Sequence, residues 1–184
     1  MQETSLIPSH VPNWIDGQER PAQDGQTLPN LNPATGSTLC TVARSGEADV
    51  RAAVEAARRA QAAWAGLTPV ARGDLLREAA LLMRERSDEF AEIVSLETGK
   101  SRRDARGETG AAVEMGLFVA GEGRRFYGKT TTSAVPHRTA LVVRQPLGVA
   151  GLIIAANTPI ANVAWKVYPA LLCGNTAVMK ASED

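Results

Sequence analysis

Cysteine is nearly absent from this sequence: Cys40 and Cys173 stand far apart, and neither belongs to a CxxC or Cys/His cluster. That spacing argues against a disulfide framework and against a structural zinc site. An excess of charge of one sign is missing too, because 20 Lys plus Arg balance 20 Asp plus Glu and leave a formal net charge of zero. A chain with no overall field has little to hold a polyanion or an anionic bilayer, so neither nucleic acid nor membrane is expected as a partner. Long hydrophobic runs are lacking as well. The longest uninterrupted small-apolar stretch, Val149 to Ala156, falls far short of a bilayer span. Residues 1 to 15 contain Glu3, Pro8 and Pro12 but no basic leader or apolar core, which is not a secretory signal and points to a soluble cytoplasmic protein. Aromatic residues make up only 4%, so the 44% apolar share leans on alanine. With 22% charged residues the balance is still that of a soluble globular chain, which argues against disordered and fibrous classes. A length of 184 residues allows one domain, or part of one, with a core.

What is present falls into three stretches. Residues 1 to 46 are rich in Pro, Gly, Asn and Thr, with turn signals at Asp16-Gly17, Asp24-Gly25 and Asn32 to Gly36, and read as short extended pieces joined by turns. From Glu47 the pattern becomes helical. Val50, Ala53, Val54, Ala57, Ala60 and Trp64 form one stripe at helical spacing. A second helix is expected from Thr68 as N-cap and Pro69 at the first position, with Leu75, Leu76, Ala79, Leu82 and Met83 facing inward. Ser87 opens a third helix that ends at Gly99, and residues 101 to 126 read as a fourth. Its glycines at 107, 110, 116, 121 and 123 weaken helix propensity and so indicate close packing. No GxGxxG follows a strand in this glycine-rich stretch, which is therefore not a dinucleotide fingerprint. The arginines at 102, 103, 106, 124 and 125 read as solvated helix faces, and His10 and His137 as surface residues.

The third stretch carries the chemistry. Thr139 to Gln145 has the β-branched content of a strand. Val149 to Ala155 is apolar throughout, as expected of a strand buried on both faces. Ile160 to Cys173 then reads as a helix ended by Gly174, and Thr176 to Lys180 as a second buried strand. Strand, helix and strand make one βαβ unit with parallel strands. Ligands of such sheets gather beyond the carboxyl ends of the strands, where helix amino-termini and loop amides point. Asn157 follows the first strand, and its neutral side-chain amide suits donation to a developing oxyanion. Lys180 ends the second strand, within reach of a ribose or phosphate. Glu183 is suited to accept hydrogen bonds from an adenosine ribose and would repel a 2′-phosphate, which favours NAD over NADP.

The segment from Pro146-Leu-Gly-Val through Asn157-Thr-Pro159, Trp165-Lys166 and Pro169-Ala-Leu-Leu-Cys-Gly-Asn175 to Lys180-Ala-Ser-Glu183 resembles the aldehyde dehydrogenase superfamily. The likeness continues upstream in Trp14-Ile-Asp-Gly17, Asn32-Pro-Ala-Thr-Gly36, Ala63-Trp64 and Glu97-Thr-Gly-Lys100, so it covers nearly the whole chain. The resemblance implies that Asn157 is the oxyanion-binding asparagine and that Lys166 takes part in proton relay. It further implies that Ile154, Ala155 and Ala156 line the nicotinamide end of an NAD cleft, NADP being possible, and that Lys180, Ser182 and Glu183 hold the cofactor's ribose end. The implied reaction is attack of a cysteine thiolate on an aldehyde, hydride transfer from the thiohemiacetal to NAD(P), and hydrolysis of the thioester. It implies an α/β fold: an amino-terminal helical layer, residues 47–128, leading into the first βαβ of a Rossmann-like parallel sheet, residues 149–184. Residues 138–146 would form an oligomerisation arm, so a homo-oligomer, a dimer or tetramer, is expected of the full-length form.

The departures are specific. Ala156 stands where the family usually has Trp, Ala155 where it often has Pro, and Ala181 where it has the proline of K-P-S-E. The family's cofactor-loop glycines, general-base glutamate and nucleophilic cysteine do not occur before Asp184, and neither Cys40 nor Cys173 matches a catalytic motif. The chain alone is therefore expected to be inactive. Two further readings stay open: a nucleotide-binding or oligomer-capping interaction fragment, and a relative that uses an acyl phosphate or acyl-CoA.

Overall fold

The computed structural model describes residues 6–182. Strands β1 (His10–Val11), β2 (Asn13–Ile15), β3 (Gln18–Arg20), β4 (Thr27–Leu31) and β5 (Thr38–Ala43) come first. β2 and β3 form a hairpin whose turn is Asp16-Gly17, both at positive φ (59° and 71°), the left-handed pair that matches the twist of tight hairpins. β5 pairs antiparallel with β4 and parallel with β1. The Asn32 to Gly36 signal closes the β4–β5 connection: the Asn32 side chain accepts from the Ala34 amide at 2.9 Å and the Asn32 carbonyl from Gly36 at 2.7 Å.

Four helices follow: α1 (Glu47–Gly66), α2 (Pro69–Glu85), α3 (Ser87–Thr98) and α4 (Arg102–Glu122), the last continued by a 3-10 turn at Gly123–Arg125. Their ends obey capping chemistry. Asp49, buried, accepts from the Gly46 amide at 2.9 Å and from Gln23 at 3.0 Å, which ties the start of α1 to the strand layer. Thr68 accepts from Ala71 at 3.1 Å, Ser101 from Asp104 at 3.1 Å, and Gly99 ends α3 in the left-handed region.

Helix α4 is the centre of the helical layer, packed by α2, α3 and later α5 (Pro159–Leu172). Leu76, Ala80, Ala112, Val119, Ala120, Ala164, Tyr168 and Leu172 form its main core. Gly116 allows α5 and α2 to approach α4 closely, since a Cβ there would sit 2.7 Å from the Tyr168 ring and 2.8 Å from Ala80. The reading of the α4 glycines as packing residues thus holds at Gly116 and Gly123, whereas Gly107, Gly110 and Gly121 face open space. The inward stripe of α2 also needs correcting. Leu75, Ala79 and Leu82 are exposed, and the buried line runs through Arg72, Gly73, Leu76 and Ala80, because α4 approaches along the small residues. On α1, likewise, Val50 is exposed and Ala60 lies outside the core, while Ala56 is buried.

Beyond α4 the chain forms the antiparallel hairpin β6 (Lys129–Thr132) and β7 (Thr139–Val142), exposed along its whole length. The strand expected at Thr139 is present, shorter than read, while its partner β6 carried no signal beyond three threonines. The last unit is β8 (Val149–Ile153), α5 and β9 (Thr176–Lys180), with β8 and β9 parallel, as the βαβ pattern requires. Burial on both strand faces is not found: Ile153 is 71% exposed and Met179 47%. Helix α1 packs on this pair, and the Thr176 hydroxyl donates to the Ala57 carbonyl at 2.9 Å.

The carboxyl end of α5 is closed from three directions. Trp64 Nε1 donates to the Leu171 carbonyl (2.9 Å), Arg72 Nε to that of Leu172 (2.9 Å) and Asn175 Nδ2 to that of Ala170 (3.1 Å). Arg72 also donates to the carbonyls of Ala65 and Leu67 at the end of α1, so one buried guanidinium joins two helix ends. Burial lowers its pKa from the ordinary arginine value. No helix among the described residues is long and apolar enough to cross a membrane.

Candidate active site

The parallel register pairs Ile153 with Lys180, so β8 and β9 end side by side, and the Ile154 amide donates to the Lys180 carbonyl at 3.0 Å. Asn157 and Lys180, picked out separately in the sequence, therefore follow adjacent strands to the same end of the pair. Ile154 is buried at 5% exposure, with its amide already taken by the Lys180 carbonyl. Ala155 and Asn157 are exposed and Ala156 is half-buried.

The turn from Ala155 to Thr158 is organised by a residue that sequence reasoning did not single out. Asn162 lies in the first turn of α5, and its Nδ2 donates to the Asn157 side-chain oxygen (3.2 Å), to Thr158 Oγ1 (3.1 Å) and to the Ala155 carbonyl (3.5 Å). With Oδ1 of Asn157 occupied, its Nδ2 is the end left to donate elsewhere. Lys166, four residues further along α5 and hence on the same face, donates to the Ile153 carbonyl. It is folded back onto the end of β8. Lys180 Nζ donates to the Ala181 carbonyl at 3.1 Å, and Ser182 is half-buried just beyond. Glu183 lies outside the described residues.

Two charged residues complete the turn from the helical layer. Glu108 of α4 is buried, and its Oε1 accepts from the amides of Ile160 (3.0 Å) and Ala161 (3.4 Å) at the start of α5. Its other oxygen meets Lys100 Nζ, which also donates to the Asn157 carbonyl at 2.6 Å. A carboxylate at a helix amino-terminus is favourably placed against the helix dipole, and here it takes the orphan amides that the N-cap Thr158 does not cap with its side chain. Lys100 closes Glu97-Thr-Gly-Lys100, a motif visible in the sequence. Glu108 offered no signal except helical spacing.

The cysteines are elsewhere. Cys40 is buried in β5, where desolvation and then the nearby Glu97 raise its thiol pKa, opposing thiolate formation. Cys173 caps the carboxyl end of α5, away from the Asn157 turn at the helix start. Among the described residues no group of His, Cys, Asp and Glu is placed to hold a metal ion. The rim suits a dinucleotide: the ends of the two strands carry the ammonium groups of Lys166 and Lys180, the Asn157 side-chain amide and the exposed Ala155.

Comparison with known proteins bears on the same segment. The profile of the aldehyde dehydrogenase family matches residues 20–184. The glutarate-semialdehyde dehydrogenase of Pseudomonas putida is 38% identical over 171 residues, 93% of this chain and 36% of that protein. The NADP(+) succinate-semialdehyde dehydrogenase of Escherichia coli is 37% identical, across 92% of this chain and 35% of its own length. In three dimensions the NAD-dependent aldehyde dehydrogenase of Sinorhizobium meliloti superposes with a TM-score of 0.91 at 34% identity, covering 99% of this chain and 37% of that one. The chain thus spans little more than a third of the length of these relatives, including the strand-end turn described above. Matching fold, matching motifs and a profile that runs over almost all of the sequence lead to one conclusion: the chain belongs to the aldehyde dehydrogenase family.

Proposed function

We propose that this chain supplies the oxyanion-binding and cofactor-side rim of an enzyme that oxidises an aldehyde to a carboxylic acid with NAD or NADP. The observation that carries the reading is the orientation of Asn157: with Oδ1 held by Asn162, its Nδ2 remains as a preorganised donor on the same rim as Lys180. Such a donor stabilises the aldehyde oxygen as negative charge gathers on it during attack by a thiolate, more than it stabilises the neutral carbonyl. A nicotinamide cofactor held at this rim would supply the acceptor for the hydride lost from the substrate carbon. Lys180 and Ser182, with Glu183, would hold the ribose end, and the backbone of Ile154, Ala155 and Ala156 the nicotinamide end. The ammonium of Lys166, tied to the Ile153 carbonyl, would become a proton carrier only after leaving that bond. The reacting thiolate and the base for thioester hydrolysis are not assigned to any residue here. Cys40 is sequestered and Cys173 lies at the wrong end of α5. By itself the 184-residue chain is proposed to bind nucleotide without turning over aldehyde, as an amino-terminal portion of a cytoplasmic enzyme. Calorimetric titration with NAD and NADP, alongside an assay of aldehyde-dependent NAD(P)H formation by the chain and by the complete product of its gene, tests this. Turnover by the chain alone would refute it.

A second reading is favoured by a separate observation. Leu141, Val142, Val143 and Leu147 are 57–98% exposed on and just after β7. Apolar exposure on this scale in a hairpin fits an arm that pairs with another subunit, as in a dimer or tetramer of the parent enzyme.

A further inference from the structure

The Asn157 turn is gripped from outside the βαβ unit, and the grip is ionic. Glu108 has a side chain only 5% exposed, Lys100 one of 24%, and both reach across from the helical layer. A carboxylate buried to that extent needs compensation, or its desolvation cost exceeds what the fold gains from it. Here the compensation is complete: one oxygen takes two helix amides and the other takes an ammonium. That ammonium spends a second donor on the backbone carbonyl of Asn157 itself. Its own position is set by the end of α3, where the Ser95 hydroxyl donates to the Lys100 carbonyl (2.8 Å) and Gly99 takes the left-handed turn. Asn157 is thereby held at two points, its main chain by Lys100 and its side chain by Asn162.

We propose that Lys100 and Glu108 act as a coupled pair of positioning residues that aim the Asn157 amide at the reacting oxygen. The proposal rests on the oxyanion reading of Asn157. Neither residue touches substrate. Removing the ammonium frees the Asn157 carbonyl and leaves Glu108 unbalanced, so the turn should relax while Asn157 remains chemically intact. Misplacement of a donor by an ångström is enough to lose roughly 10–100-fold in rate.

The test combines a readout on the chain with one on the complete enzyme. In the 15N-labelled chain, Lys100→Met should shift and broaden the Asn157 side-chain NH2 signals, and Lys100→Arg should restore them at least in part. In the complete gene product, Lys100→Met should lower kcat with little change in KM. Its effect should be strongly sub-additive with that of Asn157→Ala, because both remove one function. Should Lys100→Met fail to fold, the isosteric Glu108→Gln carries the same measurements. Unmoved Asn157 signals, or additive losses in the double variant, overturn the positioning role. Failure of the oxyanion reading has a different signature: Asn157→Ala leaves kcat unchanged although Lys100→Met still moves the Asn157 signals.

Discussion

The side-chain oxygen of Asn157 accepts a hydrogen bond from Asn162 at 3.2 Å, and this single contact decides which end of the Asn157 amide faces outward. Replacing Asn157 by Ala in the complete enzyme is expected to lower kcat by about 100–1,000-fold, the usual loss for one oxyanion donor. KM should change far less, since the donor acts on charge that exists only near the transition state. Asn162→Leu should give a smaller loss in the same direction, because the amide remains but its orientation is released. Steady-state kinetics on both variants distinguishes the two effects.

Gly116 sits against Tyr168 and Ala80 with no room for a side chain. Gly116→Val should destabilise the chain by about 1–3 kcal/mol through overpacking. Thermal unfolding followed by circular dichroism would show this as a fall in Tm of roughly 2–4 °C per kcal/mol for a chain of this size. An unchanged Tm would mean that α4 and α5 do not approach as described.

Arg72 satisfies carbonyls at the ends of both α1 and α5 from a buried position. Arg72→Met is expected to cost at least about 1–3 kcal/mol, the penalty of leaving a buried acceptor without its donor. Arg72→Lys should recover little, since a point ammonium cannot reproduce the fork. Urea titrations of the three proteins give the comparison.

At the start of α2, Thr68→Ala removes the acceptor for the Ala71 amide and should cost about 1 kcal/mol in a urea titration, whereas Thr68→Ser should leave the midpoint nearly unmoved.

Alkaline pH should weaken the fold in a defined direction. Burial raises the pKa of Cys40 above its ordinary 9.0 and that of Tyr168 above its ordinary 10.0. Each group therefore holds its proton longer when folded than when unfolded, so its contribution is intact below the ordinary value and is lost as pH rises above it. Tm measured from pH 8 to 11 should fall, and the fall should be shallower in Tyr168→Phe. A steeper fall in that variant would exclude the buried tyrosine as a cause.

How much of this was legible beforehand depended on whether the deciding interaction was local. Caps and turns were: Thr68-Pro69, Gly99, Asp16-Gly17 and Asn32 to Gly36 act within a few residues, and each sits where the sequence places it. The βαβ unit was legible because its strands and crossover alternate in pattern as well as composition. Leu75 and Leu82 misled, because the inward face of α2 is the one where Gly73 and Ala80 let α4 come close, and of its leucines that face takes Leu76. The double burial read from Val149 to Ala155 is not found, because an apolar run by itself does not say what covers each face: Ile153 of β8 is exposed, as is Met179 of β9. At the site, Asn157, Lys166 and Lys180 stood out by their place after strands or in motifs. Glu108, by contrast, acts on residues more than fifty positions away, and no spacing rule announces a partner at that distance.

Helix α5 is fastened at both ends by side chains that belong to other elements: Glu108 at its start, Trp64 and Arg72 at its finish. Fourteen residues at 1.5 Å each make it a rod of about 21 Å. With both tips tied to other elements, a displacement at one joint is expected to reach the other along the helix, even though Pro169 interrupts the hydrogen-bond ladder near its far end. Substitutions around Trp64, a full helix length from the Asn157 turn, should therefore register as changes in turnover, and a screen for altered activity would find hits at this distant joint as well as around the substrate.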